Sequence, residues 1–358
     1  MKLTFWTSVL LLTVVLFPSN ASGESRPPEQ PLFGPGGAAY RHRTVQKSVY
    51  GEAENQYWLF EPANPVPKSA PLVIFLHGWG AVNPKTYGGW IEHIVRKGNI
   101  VVYPRYQTGW RYPPEKITGN AAQAVKDAID QLQSGKHVKP ELNKLAVVGH
   151  SAGGQTAANL TASAKSFGLP EPKAIMCVEP GKSWNKSERL RIPLKNLSAI
   201  SSQVLLLSVA GDRDDIASDT DAKRIFRETP QIPYSNKNFV IIISDDHGKP
   251  ALTASHFAPC AVDEKYDSGE KTEGRKKDGF FRSEKDGFPD INVEKNWSVS
   301  TVNALDYYGF WKLFDGLCDA AFYGKNRQYA LGKTPEQRFM GKWSDGTPVK
   351  ELVVTENP

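Results

Sequence analysis

Leu145-Ala146-Val147-Val148-Gly149-His150-Ser151-Ala152-Gly153-Gly154 sets a serine between glycines directly after a short apolar run. The run 145–148 reads as a buried strand, and 152–165, rich in Ala, Gln, Asn and Leu, reads as a helix. A serine at the turn between them is forced into a strained backbone conformation. Glycines two residues before and two after it remove the side chains that would clash with so tight a bend. The pattern is a nucleophile elbow, which exposes the Ser151 hydroxyl for deprotonation. A bare turn that happens to carry a serine is the competing reading, and the strand-then-helix context argues against it.

Outward from this stretch, apolar runs at 57–60, 72–76, 100–103, 174–178, 204–209 and 239–243 alternate with helical patterns at 90–97, 120–132 and 220–227. That alternation predicts an α/β fold with a mostly parallel central sheet and helices on both faces. A further helix over 302–322 carries Ala304, Tyr307, Trp311, Phe314, Cys318 and Ala321 at steps of three and four, a stripe suited to core packing. Residues 1–23 read as a signal peptide: Lys2, an apolar run over 3–17, then the small residues Ala21-Ser22-Gly23. A secreted protein, extracellular or periplasmic, is therefore expected. No run reaches the ~20 apolar residues of a membrane-spanning helix, so no membrane span is expected. The expected organisation continues with a flexible leader over 24–40 and a single domain over 41–330 holding a charged, glycine-rich insertion at about 262–298. A C-terminal tail over 331–358 completes it.

The formal net charge of +6 comes from scattered Lys and Arg with one dense cluster at 271–277, a solvated surface rather than a nucleic-acid groove. Of the three cysteines, Cys177 lies inside an apolar run and reads as a buried strand residue. By elimination, an oxidising compartment predicts a Cys260–Cys318 disulfide. Neither Cys-x-x-Cys nor His-x-x-x-His spacing occurs, so neither a metal nor another cofactor is expected.

A serine hydroxyl is a weak nucleophile and needs a base within hydrogen-bond reach, oriented by a third group. The run 204–209 leads into Gly211-Asp212-Arg213-Asp214-Asp215-Ile216-Ala217, and 239–243 leads into Ser244-Asp245-Asp246-His247-Gly248. Serine, acid and histidine thus follow in the order expected at the ends of successive parallel strands. Asp214 is the first choice of acid and Asp212 the second, ahead of Asp215; Glu179, after the run 174–178, is an outside candidate. His247, directly after its strand, is preferred as base, with His256 as the alternative. Attack on a carbonyl creates an oxyanion, which backbone N–H groups must meet. Ala152 supplies one, and Trp79 in Leu76-His77-Gly78-Trp79-Gly80 is the expected other. Tyr106, Trp110 and Trp184 are candidate substrate-binding aromatics, with core packing as the alternative for each.

In these segments the chain resembles the α/β-hydrolase superfamily, and more loosely its esterase, lipase and cutinase-like polyester-hydrolase branches, over roughly residues 57–259. The resemblance implies the α/β-hydrolase fold and a serine hydrolase that cleaves carboxylic esters through an acyl-enzyme. In cutinase-like members the acid is the aspartate two residues before an Ile-Ala pair, here Asp214. A serine peptidase or acyltransferase would use the same residues, and a catalytically silent binding protein would share the fold.

Overall fold

The computed structural model describes residues 24–109, 112–181, 192–269 and 301–358. The signal-peptide segment 1–23, Trp110, Trp184, the basic cluster 271–277 and most of the insertion at 262–298 lie outside the described residues.

Strand β3 (Ser69–Leu76) is buried along almost its whole length. Successive side chains of a strand point to opposite faces. Leu72, Ile74 and Leu76 accordingly join one apolar layer, while Val73 and Phe75 join the other. β5 (Lys139–His150) repeats the division, with Leu145 and Val147 on one side and Ala146 and Val148 on the other. A strand covered on both faces needs no polar alternation, which is why these runs are continuously apolar.

Among the described residues the sheet has nine strands in the order β1-β2-β4-β3-β5-β6-β7-β8-β9. Its remaining strands are β1 (Thr44–Tyr50), β2 (Tyr57–Ala63), β4 (Ile100–Pro104), β6 (Ala174–Val178), β7 (Leu205–Gly211), β8 (Lys237–Ile242) and β9 (Val353–Thr355). Pairing is parallel from β4 through β8 across the sheet, and antiparallel at both margins, β1·β2·β4 and β8·β9. Helices α2 (Pro114–Ser134) and α3 (Ala152–Phe167) cover one face. The other is covered by α1 (Gly88–Arg96) and by α5 (Trp311–Tyr323), which a π-helical stretch, Leu305–Phe310, precedes. Helix α4 (Thr220–Arg227) follows β7. The aromatic stripe on 302–322 is core, with Trp311 and Phe314 in the same layer as Trp90 of α1.

Residues 24–40 form neither helix nor strand, and hydrogen bonds join them to the rest of the fold. Lys249 N–H donates to Ser25 O at 2.8 Å, Ser344 N–H to Arg26 O at 3.0 Å, and Gly36 N–H to Asp315 Oδ2 at 2.8 Å. Tyr307 Oη donates to Pro28 O. The tail is fixed likewise, through β9 and a bond from Trp343 Nε1 to Asp245 Oδ2 at 3.1 Å. No helix among the described residues is long and apolar enough to cross a membrane.

The expected Cys260–Cys318 disulfide is not formed: all three cysteines are buried free thiols. Cys260 is hydrogen-bonded to Tyr87 and feels Glu179, whereas Cys318, on α5, feels Asp315 and Asp319, so the two sit in different surroundings. Elimination considered which cysteines were left over, not whether their side chains meet. Burial pushes both thiols up from the ordinary cysteine range, which keeps them in the unreactive protonated form. The melting temperature is therefore expected to be the same with and without dithiothreitol. Three thiols should titrate with Ellman's reagent after unfolding in denaturant; finding only one would show that the bridge exists.

Candidate active site

β5, β6, β7 and β8 run parallel, so the segments that leave their carboxyl ends gather at one edge of the sheet. Ser151 follows β5 immediately, Glu179 follows β6, and Asp212 to Asp214 follow β7. The elbow at Ser151 has φ 55° and ψ −123°, a conformation that costs a side-chain-bearing residue about 1–3 kcal/mol. Its glycines answer a contact requirement. A Cβ at Gly149 would lie 2.1 Å from Gly153 O, and one at Gly153 would lie 2.1 Å from Leu76 O. Strand, turn and helix pack too closely there for even one methyl group. The turn is held by Ser151 N–H on Val178 O at 3.0 Å and Gly181 N–H on Ser151 O at 3.1 Å.

Ser151 Oγ stands 2.9 Å from His256 Nε2, and His256 Nδ1 stands 2.9 Å from Asp214 Oδ2. An ionised carboxylate only accepts, so Nδ1 carries the ring proton and donates to Asp214. Nε2 is then the lone pair that accepts from the Ser151 hydroxyl. Asp214 is itself anchored: its Oδ1 accepts from Ile216 N–H at 2.9 Å and Ala217 N–H at 2.8 Å. The Ile216-Ala217 pair that marked Asp214 in the sequence is thus the pair whose amides orient it.

His247, the preferred base from sequence, is not placed near Ser151. Its Nε2 meets Asp345 Oδ2 at 2.7 Å on the surface, with about two-fifths of the side chain exposed (39%). The physical reason lies after β8, where the chain first turns outward. It then folds back through an antiparallel bridge between Asp245 and Leu252, and only afterwards brings His256 to the serine. Asp212, the second choice of acid, accepts from Ser244 N–H at 3.0 Å and so ties the end of β7 to that of β8. Asp215 is exposed.

The loop 77–80 passes beside the nucleophile, since a Cβ at Gly78 would be 3.4 Å from Ser151 Cβ. The amides flanking Trp79 are committed, Gly78 N–H to Tyr87 Oη at 2.9 Å and Gly80 N–H to Gln107 Oε1 at 3.1 Å. Ala152 is the first residue of α3, so its N–H has no partner within the helix. The positive end of α3 and the backbone of the 77–80 loop therefore both adjoin Ser151.

Known proteins bear on this arrangement. Residues 32–206 match the family described as Chlorophyllase. The chain is also 29% identical over 154 residues to Esterase LipI of Mycobacterium tuberculosis, covering 41% of this chain and 47% of that protein. It is 37% identical over 91 residues to Chlorophyllase-1, chloroplastic, of Citrus unshiu, covering 24% of this chain and 27% of that one, and a Citrus sinensis protein of the same name matches equally. The chain has the α/β-hydrolase fold. It spans about half the length, or less, of the curated relatives it matches. The family match takes in Ser151 and Glu179 but ends before Asp214 and His256.

Two further positions pack beside the elbow and the 77–80 loop. Tyr106, expected in the cleft, is fully buried and stacks on His77 with ring centroids 4.0 Å apart. Its hydroxyl donates to His77 O, so it braces the 77–80 loop from behind. Burial lowers His77 to about 4, which keeps the ring neutral. A neutral imidazole has one N–H for the two carbonyls beside it, Gly78 O at 2.7 Å and Arg105 O at 2.8 Å. The second position is His150, which sequence reading passed over because the elbow motif leaves that residue free. It is buried, accepts from Tyr87 Oη at Nδ1 (2.8 Å), and packs against His256 with ring centroids 4.8 Å apart. Tyr87 thereby links the 77–80 loop to the residue before the nucleophile.

His150, Glu179 and His256 have donor atoms within 4.8 Å of one another, spacing that a metal ion could bridge. However, both ring nitrogens of His256 are already engaged, by Ser151 and Asp214. An ion there would break that relay, so the group reads as proton-handling rather than as a metal centre.

Proposed function

We propose that this α/β-hydrolase is a secreted serine hydrolase that cleaves carboxylic esters through an acyl-enzyme, with Ser151, His256 and Asp214 as its triad. The observation that carries the reading is the unbroken relay of two 2.9 Å hydrogen bonds from Asp214 through His256 to Ser151. His256 Nε2 takes the hydroxyl proton as Oγ attacks the ester carbonyl; the resulting imidazolium keeps its Nδ1–H on Asp214 and returns the other proton to the departing alcohol. Water then repeats the sequence on the acyl-enzyme. Trp79 N–H and Ala152 N–H meet the oxyanion of each tetrahedral intermediate. The names Esterase and Chlorophyllase among the relatives support ester chemistry. The apolar segment at 3–17, with small residues after it, supports secretion.

The mature chain is expected to hydrolyse p-nitrophenyl esters, with a preference along a series from acetate to palmitate that reports the size of its acyl pocket. A fluorophosphonate probe should label Ser151, as peptide mass spectrometry would register. A folded chain that neither turns over any ester nor takes the probe would overturn the proposal.

A further inference from the structure

Glu179 combines features that packing alone does not explain. Its backbone lies in the left-handed region, with φ 44°, although it is not a glycine. Its side chain is fully buried, and neither carboxyl oxygen has a hydrogen-bond partner among the described residues. Oε2 nevertheless stands 3.8 Å from His256 Nδ1, on the ring edge that Asp214 occupies at 2.9 Å, and 3.6 Å from His150 Nε2. Gly211, at the end of β7, keeps the space open: a Cβ there would come within 2.8 Å of Glu179 Oε1.

We propose that Glu179 is a standby positioning residue, able to take over from Asp214 as the acceptor of His256 Nδ1–H. The inference rests on the Ser151–His256 hydrolase reading and adds a second carboxyl group to it. Four elements surround Glu179 with titratable groups: His150 at the end of β5, Asp214 after β7, and His256 and Cys260 after β8, with Tyr87 reaching His150 from the turn before α1. Burial, and secondarily the charge of Asp214, pushes the Glu179 carboxyl well above the usual carboxylate range. His150 offers no compensating charge, because burial pushes its imidazole well below the ordinary range. Two carboxyl groups that share one imidazole edge do not both ionise, so in the intact site Asp214 holds the Nδ1–H and Glu179 keeps its own proton. Without Asp214 that repulsion is gone. Glu179 then releases its proton to solvent as pH rises, and its Oε2 has only about 1 Å to close to reach hydrogen-bond distance of Nδ1.

The test compares fluorophosphonate labelling of Ser151 in the native chain, Asp214→Ala, and Asp214→Ala combined with Glu179→Gln, with folding checked by circular dichroism. Loss of the acid where nothing replaces it costs ~10⁴-fold. Here Asp214→Ala is expected to cost only ~10²-fold, and the added Glu179→Gln a further ~10²-fold. The labelling rate of Asp214→Ala should also rise with pH over a range displaced upward from that of the native chain, a measurement that leaves Glu179 untouched. Equal rates in the single and double variants, or an undisplaced profile, would overturn the inference. If the native chain itself leaves Ser151 unlabelled, the hydrolase reading falls first and this one with it.

Discussion

Ser151→Ala is expected to lower ester turnover by ~10⁴-fold or more while the chain still folds. The Ser151 Oγ is the atom that would bond to the acyl carbon, and His256 Nε2, at 2.9 Å, is placed to take its proton. What remains after its removal is catalysis by the backbone donors and by binding. Stability should change little, because alanine keeps the Cβ and therefore the same backbone strain at φ 55°. Ser151→Gly provides an internal control. It should be equally inactive yet melt higher than Ser151→Ala, since glycine adopts that conformation without a Cβ clash. Steady-state hydrolysis of p-nitrophenyl butyrate alongside thermal melting gives both numbers. Turnover within tenfold of wild type in Ser151→Ala would remove the serine from the mechanism.

The second large effect separates two histidines. His256→Ala is expected to cost ~10⁴-fold in turnover, for a triad acts as a unit and a lone serine is barely nucleophilic. Truncation also leaves Asp214 Oδ2, buried with the rest of its side chain, without the ring that faced it, so some loss of stability accompanies the kinetic loss. His247→Ala removes a surface hydrogen bond to Asp345, and turnover should stay within twofold of wild type. Measured side by side at one pH, the pair decides between strand-end proximity and the relay. An inactive His247→Ala beside an active His256→Ala would overturn the assignment.

The central sheet was legible because its strands are buried on both faces and carry uninterrupted apolar runs. β1 was not, since its residues Thr44–Tyr50 alternate between half-buried and exposed and hold no such run. The elbow could be read because close packing at Gly149 and Gly153 forces a local residue choice. Asp214 could be singled out by the Ile216-Ala217 pair, whose amides orient it. His256 could only be kept as an alternative: its position depends on the excursion after β8, which is fixed by the Asp245–Leu252 bridge and by no short motif. Tyr106 failed for a related reason. Its place in the chain was right, but whether an aromatic faces a cleft or the core depends on the layer behind it, here the His77 ring.

Asp245 accepts from Trp343 Nε1 at 3.1 Å and from Lys350 N–H at 2.9 Å, so the excursion that delivers the histidine is held by residues 343–350. Ser25 and Arg26 bind Lys249 and Ser344 in the same neighbourhood. The order of synthesis therefore differs from the order of assembly. A nascent chain already holds serine, aspartate and histidine once residue 256 is made, but not the residues that set the histidine in place. Those arrive about ninety positions later, so His256 is set in place only after residues 343–350 have been made.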